Sequence, residues 1–458
     1  MIFEQFYLGC LAHASYLIGS EGVAAVVDPQ RDVDLYLEAA GQHGLRIAHI
    51  IETHLHADFV SGHQELARRT GATIYLGEGS GATFAHRAVR DGDAIAVGKC
   101  RLGFLQTPGH TLESICVVVT DTEHGAQPAG VLTGDTLFIG DVGRPDLSET
   151  YSPQQLAGML YDSLHEKLLR LPDETAVYPA HGAGSMCGRN ISADRSSTIG
   201  REKQFNYALR PMSREQFVAS MTQDLPARPE YFFRDADLNR RGAAALSDLP
   251  TLESLAANEV LRRQRTGLTV LDTRPAMAFC SGHIPGAIQI GLGGQFASWA
   301  GAVLGLDRDL MLVAEDQRTA EEARMRLARV GIERVSGALG GGIPAWARAG
   351  LPLAHTEQIT VQDLSKRLAS DAGLCVVDVR RKLEFDAGHI HAALLHPLDR
   401  LRQTMDALPR NRPLAVHCKS GYRSIIGCSL LQASGFTDVI NVQGGFDAWA
   451  AAGLPAAG

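Results

Sequence analysis

Residues 48–58 read AHIIETHLHAD, a stretch that joins an apolar run to three potential ligand side chains. It begins as an apolar strand and gives way to a turn that carries His54, His56 and Asp58. Active side chains often lie where a strand gives way to a loop, because the strand fixes them while the loop exposes them. The stretch therefore predicts a functional site at the end of a strand.

Three later motifs each add one potential metal ligand. The segments 107–110 (TPGH), 133–135 (TGD) and 178–181 (YPAH) end in His110, Asp135 and His181. Taken singly, each of these residues would be an ordinary hydrogen-bonded residue of the core. Imidazoles and a carboxylate that converge from separate loops are what a transition-metal site requires, so the ordered set predicts a metal centre.

The ordered set resembles the metallo-β-lactamase fold, which has H-x-H-x-D, then G-H, then G-D, then a late histidine. The resemblance spans the first domain and implies an αββα sandwich. Hydrolytic members of the glyoxalase II type have a histidine directly after the aspartate, which helps to hold a second metal, whereas this chain has Phe59. The chain is in this respect similar to persulfide dioxygenases, which the segments 134–139 (GDTLFI) and 143–146 (GRPD) also resemble.

That resemblance implies one Fe(II) per chain, held by His54, His110 and Asp135. Two imidazoles and one carboxylate on one face of Fe(II) leave open positions for a thiolate and O2. A nucleotide or flavin cofactor is not expected.

The other three ligand candidates, His56, Asp58 and His181, then become groups that orient the ligands and water. An alternative stays open, because Asp58 and His181 could together hold zinc. The domain would then be a thioester hydrolase that works through a metal-bound hydroxide.

By the same resemblance, Tyr178, Arg144 and Lys203 lie near the polar body of the thiol substrate. A structural ion pair between Arg144 and Asp146 is an equal alternative for that arginine.

Beyond a Pro/Arg/Asp-rich connector at 211–250 with weak periodicity, the chain repeats itself. The pattern DxRxxxxFxxGHI at 272–284 recurs at 378–390, and GGxxAWAxAGLP at 341–352 recurs at 444–455. Two tandem copies of one domain follow, and strands that alternate with helices predict a mostly parallel sheet in each copy.

The segment 414–418 (LAVHC) is a short buried strand that ends at Cys418, followed by KSGYR at 419–423 and a helix from Ser424. Backbone N–H groups at the start of that helix favour a thiolate or persulfide at Cys418. Lys419 and Arg423 are predicted to act beside it. Both repeats resemble rhodaneses, and the four residues between Cys418 and Arg423 disfavour a cysteine-dependent phosphatase, whose loop has five.

The matching stretch of the first repeat, 312–319 (LVAEDQRT), has no cysteine. Glu315, or Asp316 if the alignment slips by one, is predicted at the cysteine position. Because a carboxylate cannot carry a sulfane sulfur, the first repeat is predicted to be an inactive rhodanese that spaces, docks or dimerises its neighbours.

Cys187 lies in a glycine-rich segment, 182–188 (GAGSMCG), shortly after the last candidate ligand. A free cysteine is more often inert than reactive. Some fusions of a dioxygenase with rhodanese domains that resemble this chain have a cysteine in the same loop, which favours a functional thiol.

At 458 residues the chain is too long for one core. We expect an α/β multidomain protein: a dioxygenase domain with its connector at 1–245, an inactive rhodanese-like domain at 246–354 and a catalytic rhodanese domain at 355–458. A net charge of −8 disfavours binding to nucleic acid. Without a signal-peptide pattern or a membrane-length apolar run, the protein is expected to be cytoplasmic and away from membranes. A homo-oligomer is expected.

Together the modules predict an enzyme of sulfide oxidation. It would oxidise a low-molecular-weight thiol persulfide with O2 to sulfite, and it would transfer sulfur through Cys418 to form or use thiosulfate. A scaffold that only binds sulfur carriers is the non-enzymatic alternative.

Overall fold

The polypeptide divides into two units by its internal contacts. The computed structural model describes residues 1–223, 225, 228–370 and 373–457. One unit comprises Met1–Leu249 with Ala328–Gly331, and the other comprises Pro250–Leu327 and Ile332–Gly458. Residues 224, 226 and 227 of the predicted connector lie outside the described residues.

Two six-stranded sheets form the first unit. The first sheet has the order β1-β2-β3-β4-β5-β6 and is antiparallel up to β3 and parallel from there on: β1 (Ile2–Leu8), β2 (His13–Ser20), β3 (Val23–Val27), β4 (Arg46–Ile51), β5 (Thr73–Gly77) and β6 (Arg87–Val89). The second has the order β12-β11-β10-β9-β8-β7 and is antiparallel except between β10 and β11: β7 (Ala94–Val97), β8 (Cys100–Gln106), β9 (Ile115–Asp121), β10 (Gly130–Gly134), β11 (Ala176–Pro179) and β12 (Ser197–Thr198).

Helices cover the outer faces of both sheets. They are α1 (Asp34–Gln42), α2 (His63–Thr70), α3 (Pro153–Glu166), α4 (Ile199–Phe205), α5 (Arg214–Thr222) and α6 (Tyr231–Arg241). Alternate residues of the strands point to opposite faces, so Tyr16 and Phe104 pack between the sheets, while Ile50 packs toward the helices. On the far side, Val131 packs with Leu160 of α3. These layers confirm the αββα sandwich.

The connector at 211–250 is more helical than its weak periodicity predicts, because it contains α5 and α6. In α6 the buried positions are Tyr231, Phe232, Asp235 and Asn239. Two of these four are polar, so the apolar stripe that marks a helix in a sequence is broken.

The second unit contains two parallel five-stranded sheets, one in each repeat. In the first repeat the order is β13-β17-β16-β14-β15: β13 (Ser254–Leu255), β14 (Thr269–Asp272), β15 (Ile288–Gln289), β16 (Leu310–Val313) and β17 (Val335–Leu339). In the second it is β18-β23-β22-β19-β21, with β20 pairing separately with β24: β18 (Glu357–Ile359), β19 (Cys375–Asp378), β20 (His389–Ile390), β21 (Leu394–Leu395), β22 (Leu414–His417), β23 (Val439–Val442) and β24 (Ala456–Ala457).

The helices of the two repeats follow the strands in the same sequence. They are α7 (Ala257–Arg265), α8 (Ala276–Ser281), α9 (Phe296–Leu304), α10 (Gln317–Ala328) and α11 (Gly342–Arg348), then α12 (Val361–Ser370), α13 (Lys382–Asp386), α14 (Leu401–Thr404), α15 (Tyr422–Ala433) and α16 (Gly445–Ala451). Short 3₁₀ turns lie at Leu168–Arg170, Tyr207–Leu209, Leu246–Asp248, Leu398–Arg400 and Met405–Ala407.

The repeated motifs make the same contacts in both copies, which explains why they recur. Each arginine pairs with the aspartate two residues before it and donates to a glycine carbonyl, each phenylalanine stacks on the histidine four residues later, and each indole N–H donates to a proline carbonyl. The indole bonds are 2.8 Å from Trp346 to Pro352 and 2.9 Å from Trp449 to Pro455, and the other pairs are Arg274 with Asp272 and Gly282, Arg380 with Asp378 and Gly388, Phe279 with His283, and Phe385 with His389.

Among the described residues, no helix combines the length and the hydropathy that crossing a bilayer requires. The three domain boundaries given by the sequence stay predictions.

Candidate metal centre and sulfur-transfer loop

Three unpartnered ligand atoms converge at the ends of strands in the first unit. The Nε2 atoms of His54 and His110 lie 3.8 Å and 3.3 Å from Oδ2 of Asp135. All three residues are buried, and these three atoms have no hydrogen-bond partner among the described residues. Buried polar atoms are normally satisfied, so this group has the geometry of a metal site.

Both histidines are held with Nε2 turned inward. Nδ1 of His110 lies 3.0 Å from the backbone oxygen of Arg144, which can only accept, so Nδ1 carries the proton. The hydroxyl of Thr53 donates to Asp28 and lies 3.0 Å from Nδ1 of His54, so it accepts from that nitrogen. These partners fix the tautomer that leaves the Nε2 lone pair available to a metal.

The protonation states suit a metal as well. Burial, together with the neighbouring His56, holds the pKa of His54 well below its usual value, and burial also lowers the pKa of His110. Burial alone would raise the pKa of Asp135, but the surrounding histidines, His181 foremost, hold it well below its usual range. Neutral imidazoles and an ionised carboxylate are the forms that bind a cation.

A second buried group lies beside the first, formed by His56, Asp58 and His181, whose ligand atoms lie within 4.8 Å of one another. Nδ1 of His181 lies 2.7 Å from Asp135 Oδ1, and its Nε2 lies 3.0 Å from Asp58 Oδ2. Burial alone would lower the pKa of His181, but these two carboxylates raise it well above its usual value. The sequence predicted that these residues orient the ligands, and that role stays a prediction.

Phe59 closes one side of the second group. Its ring is fully buried and lies 4.4 Å from the ring of His56 and 6.4 Å from that of His181. His13, which the sequence analysis did not single out, packs 4.2 Å from Phe59 and is also fully buried. The apolar ring of Phe59 thus occupies the position at which hydrolytic members of the glyoxalase II type have another ligand.

Asn239 of α6 ties the ligand loop to the domain. Its Nδ2 donates to the carbonyls of His56 and Phe59 at 2.8 Å each, and its Oδ1 accepts from the backbone N–H of Ser61 at 2.8 Å. No short motif contains this residue, and its only signal in the sequence is a polar residue at an inward position of a helix. The contact explains why α6 has a polar buried face.

Asp28 is another site residue that the sequence analysis missed. It follows β3 with a positive φ of 51°, and its carboxylate accepts from the backbone N–H and hydroxyl of Thr53. Oδ1 also lies 3.2 Å from Nε2 of His56. Its position at the end of a strand was the one signal that could have found it.

Cys187 is buried next to the candidate metal ligands. Its Sγ and the ligand atoms of Asp135 and His181 lie within 4.8 Å of one another. Burial raises the pKa of Cys187 well above its usual value, and the negative charges of Asp58 and Asp135 add to this effect. The residue is therefore a neutral thiol at pH 7 as the protein stands.

The three residues predicted to bind the substrate make other contacts. Arg144 pairs with Asp146 through two bonds of 2.6 Å and 3.0 Å, as the structural alternative has it, and also donates to the carbonyl of Met186 in the Cys187 loop. Lys203 lies 2.6 Å from a carboxylate oxygen of Asp173. The ring of Tyr178 packs 4.6 Å from that of Phe3. Substrate binding by these three residues stays a prediction.

The sulfur-transfer loop lies between β22 and α15. The thiol of Cys418 is buried and accepts from the backbone N–H of Gly421 at 3.1 Å. Arg423 is paired with Glu384 through two bonds of 2.7 Å. Lys419 is exposed and makes no salt bridge with a described residue, so it is the unpaired cation of the loop.

The residue at the cysteine position of the first repeat is Ala314, and the prediction of Glu315 or Asp316 was wrong. Asp272 pairs with Val313 in the sheet just as Asp378 pairs with His417, so the next residues, Ala314 and Cys418, correspond. Helix α10 begins three residues after Ala314, whereas α15 begins four residues after Cys418. Because the loop of the first repeat is one residue shorter, an alignment by sequence alone is displaced. A methyl group cannot carry sulfur either.

Comparison with known proteins agrees with this division of the chain. Residues 8–181 match the metallo-beta-lactamase superfamily, and 256–349 and 360–452 each match the rhodanese-like domain. Hydroxyacylglutathione hydrolase of Polaromonas sp. strain JS666 is 30% identical over 50% of this chain and 93% of that protein. The chain belongs to the metallo-beta-lactamase superfamily.

A persulfide dioxygenase and a solved structure are also similar to this chain. The human mitochondrial persulfide dioxygenase ETHE1 is 32% identical over 45% of this chain and 75% of that protein. The crystal structure of a metallo-beta-lactamase from Staphylococcus aureus subsp. aureus COL has a TM-score of 0.67 and 34% identity, and the match covers 74% of this chain and 98% of that one. A dioxygenase and a hydrolase are thus both among the relatives, and together with the rhodanese domains they support an enzyme.

The ligand assignment predicts the effect of removing one imidazole. We expect His110→Ala to lower metal affinity by more than the roughly 10- to 100-fold typical of losing an outer partner. Metal analysis after dialysis against a graded chelator measures this. His124→Ala, which removes an exposed histidine, serves as the control, and equal metal retention in both variants would contradict the assignment.

The contacts of Asn239 predict that a residue distant in sequence also controls metal binding. Asn239→Ala leaves two carbonyls and one N–H of the ligand loop without their partner, and we expect metal affinity to fall by about tenfold or more. Asn258→Ala, an exposed asparagine of α7, is the matched control. Unchanged affinity with a lowered unfolding midpoint would show that Asn239 acts on stability alone.

Proposed function

We propose that the first unit is a persulfide dioxygenase with one iron. In this reaction RSSH, O2 and H2O give RSH, HSO3⁻ and H⁺. The bond between the two sulfurs breaks, the terminal sulfur gains two oxygens from O2 and one from water, and O2 takes up four electrons. The carrier leaves as the free thiol RSH.

The convergence of three unpartnered ligand atoms is the observation that carries this proposal. His54, His110 and Asp135 would hold the metal, and they fit it in geometry, tautomer and burial. Fe(II) in such a site supplies open coordination positions for oxygen chemistry.

The other residues around the metal centre would position the ligands and the substrate and exclude water. His181, whose two ring nitrogens lie 2.7 Å from Asp135 and 3.0 Å from Asp58, can fix the orientation of the Asp135 carboxylate. Cys187 lies close enough to Asp135 and His181 to contact the substrate sulfur. Phe59 and His13 exclude water from one side of the centre, which strengthens every electrostatic interaction there.

The second repeat supplies the sulfur-transfer reaction. The thiolate of Cys418 attacks the outer sulfur of thiosulfate, the sulfur–sulfur bond breaks, and sulfite leaves while Cys418 becomes a persulfide. In the reverse direction, sulfite attacks that persulfide and forms thiosulfate. The N–H of Gly421 donates to Sγ and can hold the negative charge, while Lys419 can attract the anion.

A hydrolase with two zinc ions is the second candidate, because a hydroxyacylglutathione hydrolase is among the relatives. Such an enzyme needs a second set of ligands. Here His56, Asp58 and His181 form such a group, but Nδ1 of His181 is paired with Asp135, and Phe59 contributes a ring without a ligand atom. The missing ligand at position 59 supports the one-iron enzyme.

The proposal is tested with purified full-length protein. We expect about one iron per chain and oxygen uptake with glutathione or coenzyme A persulfide, with sulfite as the product. Cys418→Ser should keep oxygen uptake and abolish sulfur transfer from thiosulfate to cyanide. Two zinc ions with thioester cleavage and no oxygen uptake would favour the hydrolase, and unchanged sulfur transfer in Cys418→Ser would favour a scaffold.

Phe59→His tests the same choice from the other side. The smaller ring fits the existing space and brings a nitrogen beside Asp58 and His181, so we expect the zinc-reconstituted variant to bind close to two metals per chain. Phe59→Leu is the control, because it changes the ring without adding a ligand and should keep one metal. Two metals in the unaltered protein would contradict the proposal.

A further inference from the structure

Helix α15, which follows the sulfur-transfer loop, is buried around its whole circumference. The eight consecutive residues from Ser424 to Leu431 are all buried. A helix that covers only one face of its own sheet keeps a polar face in solvent, and only one enclosed on all sides is apolar all round. Something beyond the sheet of the second repeat therefore covers α15.

The equivalent helix of the first repeat shows the ordinary pattern. Helix α10 reads QRTAEEARMRLA and buries Ala320, Ala323 and Leu327 on one side, while Gln317 and Arg318 are exposed. Helix α15 reads YRSIIGCSLLQA and has no charged residue after its second position. The two helices have the same place in the fold, so the difference reflects what lies against them.

The first repeat provides the cover for α15. The backbone N–H of Gln289 at the end of β15 donates to Oγ of Ser429 in α15 at 3.0 Å. Strand β15 is the edge of its sheet, and an exposed edge is a liability unless something covers it. Helix α15 thus covers the edge strand β15, and β15 in turn buries one side of α15.

The contact reaches into the sulfur-transfer loop through Tyr422. Its hydroxyl donates to the backbone oxygen of Gly291 in the first repeat at 2.8 Å. Its ring lies over Gly291 and Gly294, where a Cβ at either position would come within 3.7–3.8 Å of the ring. Tyr422 lies between Gly421, which donates to the thiol of Cys418, and Arg423, which pairs with Glu384.

We propose that the first repeat is a working part of the sulfurtransferase site, because the carbonyl of Gly291 fixes Tyr422 and thereby the end of the Cys418 loop. Tyr422 is a positioning residue that acts through the backbone of Gly421. The first repeat has Ala314 at the cysteine position, and it provides the surface that holds the loop of the second repeat in place. This inference depends on the proposed sulfur transfer by Cys418.

Tyr422→Phe in the full-length protein is the first test. The phenyl ring keeps the packing and loses only the bond to Gly291, so we expect kcat for sulfur transfer from thiosulfate to cyanide to fall about three- to tenfold. KM for thiosulfate should stay within about twofold, because Lys419 is untouched. The rate at which iodoacetamide modifies Cys418, followed by peptide mass spectrometry, should fall with kcat.

Tyr161→Phe is the matched control, because its hydroxyl also donates to a backbone carbonyl, that of Met212, but in the first unit. It should leave both measurements unchanged. A rise in KM at constant kcat in Tyr422→Phe would contradict positioning, because it would place the hydroxyl in substrate binding.

A substitution in the first repeat is the second test. Gly291→Leu pushes a side chain against the ring of Tyr422 and should lower kcat at least as much as Tyr422→Phe. Gly291→Ala adds a Cβ 3.8 Å from the ring of Tyr422 and 3.2 Å from Nε2 of Gln289, the far end of a flexible side chain, and should stay near the unaltered rate. If Gly291→Leu does not fold, Tyr422→Phe and the alkylation rate decide the matter alone.

The inference and the proposed sulfur transfer fail in different ways. Unaltered rates in both Tyr422→Phe and Gly291→Leu, in a protein that transfers sulfur through Cys418, would overturn the inference alone. A protein without sulfur transfer, or with full transfer in Cys418→Ser, would overturn the proposed reaction.

Discussion

The buried carboxylate of Asp135 is the constraint about which the loops of the first unit are arranged. One oxygen is paired with His181, while the other faces two imidazoles whose lowered pKa values keep them neutral. An isolated buried charge is costly unless it is paired or bound to a metal. The tautomers set by Arg144 and Thr53 direct lone pairs toward the same point, so the whole arrangement calls for a cation.

The sequence pointed to the candidate ligands because they share a signal, a histidine or aspartate within four residues of the end of an apolar strand. It also predicted the sandwich and the repeats, whose motifs make identical contacts in the two copies. It could not predict Asn239, which lies about 180 residues from the loop that it holds. An asparagine inside a helix has no distinctive spacing, and its partners are backbone atoms, which leave no trace in a sequence.

The first repeat shows a different limit of sequence reasoning. That it lacks a sulfur carrier was evident, but the corresponding residue was misplaced by one position because the loop before α10 is shorter than the loop before α15. Only the pairing of β16 with β14 sets the register. Exposed Glu315 and Asp316 now line a cavity of about 100 Å³ beside Ala314, and two carboxylates there would repel sulfite or thiosulfate.

The two proposed reactions belong together chemically because sulfite is shared between them. It is the product of persulfide oxidation, and it is also the nucleophile that takes a sulfane sulfur from Cys418. Sulfite is an anion, so a positive charge near Cys418 would favour its binding there. In the second repeat this is Lys419, because Arg423 is neutralised by Glu384, whose pKa the arginine lowers to about 2 against the opposing effect of burial. In the proposed reaction the charge that attracts sulfite would therefore lie on Lys419, which is exposed.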